Sequence, residues 1–197
     1  MGVDAFVKKS YSVYLAGPEV FMEEAASILA QKEAICRQLG LTPLSPVDNE
    51  VSPHITDPRS IALAIYHGNV NQMDQADAII ANITPFRGPH MDSGTAFEIG
   101  YFAALKKPIV CYTQASHDLL DRVLNWSEQS SEGPDGSRRD KNGHLIENFG
   151  LEENLMITSA VSTGGVVSGS HFGKVFVCCE GFKEAAQSLA HYFQNNI

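Results

Sequence analysis

Short apolar runs alternate along the chain with longer segments of helical period. Ser12 to Ala16, SVYLA, is rich in β-formers and opens directly onto Gly17-Pro18, the pattern of a buried parallel strand. From Met22 to Leu39, apolar residues return every three or four positions (Met22, Ala25 and Ala26, Leu29, Ile35 and Cys36, Leu39). This predicts a helix that Gly40 stops. Leu41 to Leu44 predicts a weaker second strand, and a Pro- and Ser-rich loop runs from Pro43 to Pro58. Asp57-Pro58 supplies an N-cap and a first-turn proline for a second helix, with Ile61, Ile65 and Met73 facing inward.

Asp77 to Ile83, DAIIANI, is the clearest strand. The loop TPFRGPHMDSG follows, and then a third helix, capped by Asp92 or Ser93 and running to Lys106. The small residues Gly94, Ala96, Gly100, Ala103 and Ala104 let that helix approach a sheet closely. Pro108 to Tyr112 predicts another strand, and Leu119, Leu120, Val123 and Leu124 a short helix. Ser127 to Gly143 is polar and predicts a mobile excursion; the Gly-rich Ser162 to Gly173 predicts a flexible loop. Val175 to Cys179 predicts the last strand and Phe182 to Phe193 a closing amphipathic helix.

Strands alternating with helices predict one α/β domain over residues 1–197. Its expected form is a doubly wound, flavodoxin-like, parallel five-stranded sheet with helices on both faces. Ligands of such sheets sit beyond the carboxyl ends of the strands. Three loops are thereby named in advance: Gly17 to Phe21, Leu44 to Asp57 and Thr84 to Gly94.

Composition narrows the class. A chain of 197 residues is long enough for a core without disulfides or a structural metal. A formal charge of -9 argues against a nucleic-acid partner, which would require a basic face. No apolar run reaches the roughly 20 residues of a membrane span. The first residues carry no long apolar stretch with a cleavage site, so a cytoplasmic location is expected. The four cysteines show no CxxC and no zinc spacing, the seven histidines no metal spacing, and three of the cysteines lie in apolar surroundings. Gly164, Gly165 and Gly169 match neither phosphate-loop pattern.

The three loops offer Tyr14 at the first strand end with Gly17, then Asp48, Asn49 and Glu50, then Arg87, His90, Asp92, Ser93 and Thr95. Glu98 lies just inside the third helix, among Phe97, Ile99, Gly100, Tyr101 and Phe102. A carboxylate in such surroundings points outward or serves a pocket. Asp92 is an N-cap by position. Together with Glu98 it also makes a plausible glycosyl-transfer pair, in which one carboxylate attacks an anomeric carbon while polar groups hold the sugar.

At these residues a resemblance enters. VYLAGPEVF at Val13 to Phe21, NxMDxADAIIA at Asn71 to Ala81 in loose form, TPFRGPHMDSGTAFEIGY at Thr84 to Tyr101, KPIV at Lys107 to Val110 and NLM at Asn154 to Met156 together resemble the nucleoside 2-deoxyribosyltransferases. The block DSGTAFEIG is the specific part; YLAGP is shared with related nucleotide N-glycosidases. The resemblance implies that Glu98 is the nucleophile and that Tyr14 holds it. It implies that Asp92 binds the sugar, and that Asn154 reaches the sugar hydroxyls of a neighbouring subunit's site, with Met156 closing it. It places Asp48 and Glu50 near the nucleobase, Glu50 standing where an amide is usual. An aspartate that helps protonate the departing base falls at Asn69 here, which leaves Asp48, Glu50 or water for that proton.

The implied reaction moves 2-deoxyribose between nucleobases of 2′-deoxynucleosides with retention, through a glutamyl intermediate. It needs no metal or cofactor, and its partners are a deoxynucleoside, a free nucleobase and a second copy of the chain. Two alternatives stand beside it: an N-glycosidase hydrolysing 2′-deoxynucleoside 5′-monophosphates, and a non-catalytic nucleotide-binding module on the same sheet.

Overall fold

The computed structural model describes residues 10–196 except 50, 128, 163–164 and 169–178. A parallel sheet of five strands has the order β2-β1-β3-β4-β8, formed by Tyr11–Ala16 (β1), Leu41–Leu44 (β2), Ala78–Asn82 (β3), Ile109–Thr113 (β4) and Val166–Ser168 (β8). Pro43, which cannot donate to a ladder, lies in the edge strand β2, where its missing N–H is tolerated. The helices are Ala25–Gln38 (α1), Pro58–Gln75 (α2), Ser93–Ala104 (α3), Leu119–Ser127 (α4), Leu155–Thr158 (α5) and Glu180–Asn195 (α6).

Strand side chains alternate between two apolar layers. Val13, Leu15, Ile80 and Tyr112 meet Cys36 of α1 and Phe182, Leu189 and Phe193 of α6. Tyr14, Ile79, Ala81 and Cys111 meet Met73 of α2 and Ile99 and Phe102 of α3. With helices on both faces the central strands are buried throughout, which is why they read as continuous apolar runs. Each fully buried Ile or Leu contributes about 1.5–3 kcal/mol. Because β2 and β3 flank β1 on opposite sides, the strand order reverses at β1 and β3, and a crevice opens beyond their carboxyl ends.

Several expectations are corrected. The first helix starts at Ala25, because Pro18–Phe21 forms a 3₁₀ turn whose Glu19 turns inward to Lys32. Ile65 is exposed in this chain and not inward. Ser127 to Gly143, expected as a polar excursion, carries Ser130–Glu132 (β5) and Arg138–Asp140 (β6), and Leu145–Ile146 (β7) completes an antiparallel meander. Its Asp and Gly residues serve the turns, with Gly136 and Gly143 at φ 78° and 82°. The segment read as a flexible loop supplies β8, which pairs with β4. Of the strand expected at Val175 to Cys179, residues 175–178 lie outside the described residues, and Cys179 precedes α6 as its N-cap residue. Among the described residues no helix is long and apolar enough to cross a membrane.

Candidate active site

The three loops named from the sequence converge on a cleft of about 490 Å³. Gly17, Val20 and Phe21 form one wall; Pro46, Val47, Asn49 and Val51 form a second, joined by Ile65 and Asn69 of α2. Asp92, Gly94, Thr95 and Glu98 close it from the start of α3.

Glu98 is the most deeply set carboxylate of the cleft lining. It lies one turn into α3 with its side chain over β1, where the fully buried Tyr14 hydroxyl donates to Oε1 at 2.7 Å. Burial raises the Glu98 carboxyl to about 7; the Tyr14 hydrogen bond pulls it down, and nearby Asp92 pushes it up. Burial and the Glu98 charge push the Tyr14 phenol well above its ordinary value, so Tyr14 remains a donor. The ring of Phe102 stacks beside Tyr14, with centroids 6.1 Å apart. One carboxylate oxygen is thus held, and Oε2 is left for the cleft.

Asp92 is the N-cap of α3. Its Oδ2 accepts from the Thr95 N–H at 2.9 Å and the Thr95 hydroxyl at 3.1 Å, which fixes the carboxylate on the cleft wall. Gly17 is required by space: a Cβ there would overlap the Glu19 carboxylate and approach Asn82 Cβ to 2.9 Å. Behind Gly17, the buried Glu19 receives Lys32 Nζ, Asn82 Nδ2 at 2.6 Å and the Tyr112 hydroxyl at 3.0 Å. Burial alone would raise the Glu19 carboxyl, yet the Lys32 ammonium and the amide of Asn82 hold it below its ordinary value. This network anchors the turn that carries Val20 and Phe21.

The second loop is read differently by the structure. Asn49 is the residue that reaches the cleft wall; its Nδ2 donates to Asn69 Oδ1 at 2.7 Å, Gln72 Oε1 at 3.2 Å and the Pro46 carbonyl at 3.2 Å. Gly68 makes room for it, since a Cβ there would come within 2.8 Å of Asn49 Cγ. Asp48 is exposed and absent from the cleft lining; its Oδ2 accepts from the Ser45 N–H at 3.2 Å and closes the short 3₁₀ turn Pro46–Asp48. Glu50 lies outside the described residues. Asn69 shares the cleft wall with Asn49, as a neutral amide.

Asn154 and Met156 do not line the cleft of their own chain. Asn154 caps α5, accepting from the Met156 N–H at 3.0 Å and donating Nδ2 to Glu147 Oε1 at 2.6 Å, while Met156 is 72% exposed. Among the described residues no group of three or more His, Cys, Asp or Glu side chains is placed to hold a metal. Sequence reasoning passed over Asn49 as a site residue and missed Gln72, Glu19 and Lys32 altogether. The Asn49 amide stood beside two acids that looked chemically richer, and a lysine in an amphipathic helix gives no sign of burial.

The chain is similar to known proteins along most of its length. Residues 13–156 match the family model described as nucleoside 2-deoxyribosyltransferase. An uncharacterized protein of Schizosaccharomyces pombe is 29% identical over 189 residues, covering 90% of this chain and 88% of that one. The structure of a 2-desoxiribosyltransferase from Leishmania mexicana superposes with a TM-score of 0.59 at 27% identity, over 95% of this chain and 99% of the other. A conserved protein from Enterococcus faecalis shares the fold, with a TM-score of 0.53 at 22% identity over 91% of this chain and 98% of its own. The matched span takes in the strand that holds Tyr14, the cleft loops, and the helix that presents Glu98. By that match the chain belongs to the nucleoside 2-deoxyribosyltransferase family.

Proposed function

We propose that this chain transfers 2-deoxyribose between the nucleobases of 2′-deoxynucleosides by a retaining double displacement. The observation that carries the reading is the 2.7 Å bond from the Tyr14 hydroxyl to Glu98 Oε1 at the edge of the cleft. It orients the carboxylate and leaves Oε2 to attack C1′. In the first step the Oε2–C1′ bond forms as the C1′–N bond breaks, and the base leaves with the electron pair and takes up a proton. In the second step a nitrogen of another base attacks C1′, the glutamyl bond breaks with its electron pair returning to the carboxylate, and the incoming base gives up its N–H proton to the group or water that protonated the first base. Asp92 holds the sugar so that C1′ lies within attack range. Asn49 and Asn69 meet the base edge as neutral amides, so the proton reaches the departing base from elsewhere; with Asp48 outside the cleft lining, Glu50 or water is its source. Gly17 lets the substrate approach the first loop.

Asn154 and Met156 serve a neighbouring copy. That neither lines the cleft of its own chain supports this, as do the exposed apolar side chains Phe21, Val47, Ile65, Tyr66 and Phe97 in and around the cleft. The active unit is then a homo-oligomer acting on nucleosides in the cytoplasm, without a cofactor. Among the described residues that line the cleft none is Lys or Arg, which favours a neutral nucleoside over its 5′-monophosphate. The test is base exchange: a deoxynucleoside with a second free base, in wild type and Glu98→Ala. Exchange lost in a folded Glu98→Ala supports the reading. Free deoxyribose formed at full rate without acceptor points to the hydrolase, and unchanged affinity with no turnover in wild type to a binding module.

A further inference from the structure

Glu153 is 1% exposed and lines no part of the cleft. Four donors meet its carboxylate. The Met91 N–H reaches Oε2 at 3.0 Å and the Asn154 N–H reaches Oε1 at 3.1 Å. Arg122 Nη2 lies 3.1 Å from Oε2, and the His90 ring 3.0 Å from Oε1. Arg122 ties the same region further, donating Nε to the Pro89 carbonyl at 2.9 Å, Nη1 to the His117 carbonyl at 2.8 Å and Nη2 to the Glu152 carbonyl at 2.6 Å. A buried carboxylate is costly, and Arg122 meets only its Oε2, through Nη2, which leaves other lone pairs to be satisfied. Here it also accepts the backbone N–H groups of Met91, the residue before Asp92, and of Asn154 itself.

We infer that Glu153 is a positioning residue for the sugar site, setting the placement of both Asp92 and Asn154 and thereby the grip on the deoxyribose hydroxyls. The ligand's identity rests on the deoxyribosyl-transfer reading above. A carboxylate accepts only, whereas a glutamine must turn an NH₂ group towards one of the four donors. Oε1 faces the Asn154 N–H and His90, and Oε2 the Met91 N–H and Arg122, so Glu153→Gln releases one of the two backbone ties whichever way the amide turns, without changing side-chain size.

The experiment measures binding by calorimetry and turnover in parallel. The probes are 2′-deoxyadenosine and thymidine, each beside its 3′-deoxy counterpart. Wild type should prefer the 3′-hydroxyl form, and Glu153→Gln should shrink that preference about three- to tenfold, the worth of one hydrogen bond. Thr158→Val, which removes the hydroxyl bond to the Glu153 carbonyl in the same segment, should leave the preference intact. Should Glu153→Gln fail to fold, Arg122→Lys, which keeps the charge and loses the carbonyl ties to Pro89, His117 and Glu152, takes its place with the same expectation. A preference unchanged in a folded variant overturns the inference, as does wild type showing no preference at all. Discrimination in wild type binding without turnover overturns the transferase reading and leaves the positioning role standing.

Discussion

The Tyr14 hydroxyl, from a β1 position with no solvent exposure, holds Glu98 Oε1 at 2.7 Å across 84 residues of sequence. That bond favours the charged form and offsets part of the burial that leaves the carboxyl at about 7. The proposed attack by Glu98 needs the carboxylate ionised, so kcat/KM should rise with pH through about 7. Tyr14→Phe removes the interaction favouring the charged form. The acid limb should therefore move to higher pH, and turnover below it should fall roughly ten- to hundredfold. A pH–rate profile of both proteins checks this; an acid limb that stays put in Tyr14→Phe assigns the titration to another group.

Asp92→Asn separates the cap from the sugar contact. Asparagine caps helices about as well as aspartate, so stability should change by less than about 1 kcal/mol. Base exchange should nonetheless fall by roughly an order of magnitude or more, the worth of a charged hydrogen bond to the sugar. Thermal melts beside exchange rates decide: equal activity in Asp92→Asn and wild type makes Asp92 a cap and nothing else.

Gly68→Ala should act on the base wall at a distance. Alanine in a helix interior ordinarily gains about 1 kcal/mol over glycine. Here its Cβ would sit 2.8 Å from Asn49 Cγ and displace the amide that links Asn69, Gln72 and the Pro46 carbonyl. The expected outcome is a folded protein of nearly unchanged melting temperature, with an altered ranking of acceptor bases. Competition assays with a panel of free bases measure that ranking, and a ranking identical to wild type removes Asn49 from base recognition.

Lys32→Met should be among the most damaging changes away from the cleft. It leaves the Glu19 carboxylate buried without its cation, at a cost of about 3–5 kcal/mol. Adding Glu19→Gln to Lys32→Met should recover part of that loss, because the uncompensated charge is gone. Denaturant titrations of the single and double variants form the cycle.

Much of the framework was legible because it is local. β1 and β3 are buried on both faces, so their apolar runs stood out, and Asp57, Asp92 and Gly40 marked helix ends by cap and stop chemistry that acts within a few residues. The cleft loops followed from the strand order that an alternating chain adopts, and the block around Glu98 carried the family. The meander at β5 to β7 was also local, but it was read for its polarity, and its hairpin turns at Gly136 and Gly143 were passed over.

What the chain does not announce is which distant groups converge. β8 is a strand because β4 offers it an edge, not because three residues have strong propensity. Lys32 is buried because Glu19 turns in to meet it. Asn49 reaches the cleft because a glycine on α2 leaves it space. Glu153 holds two segments because four donors surround it. Sequence by itself determined the helices and the central strands, and the residue types on offer at the loops, since periodicity, caps and turns act over a few residues. Tertiary structure alone decided their desolvation and partners, because these depend on atoms brought together from far along the chain.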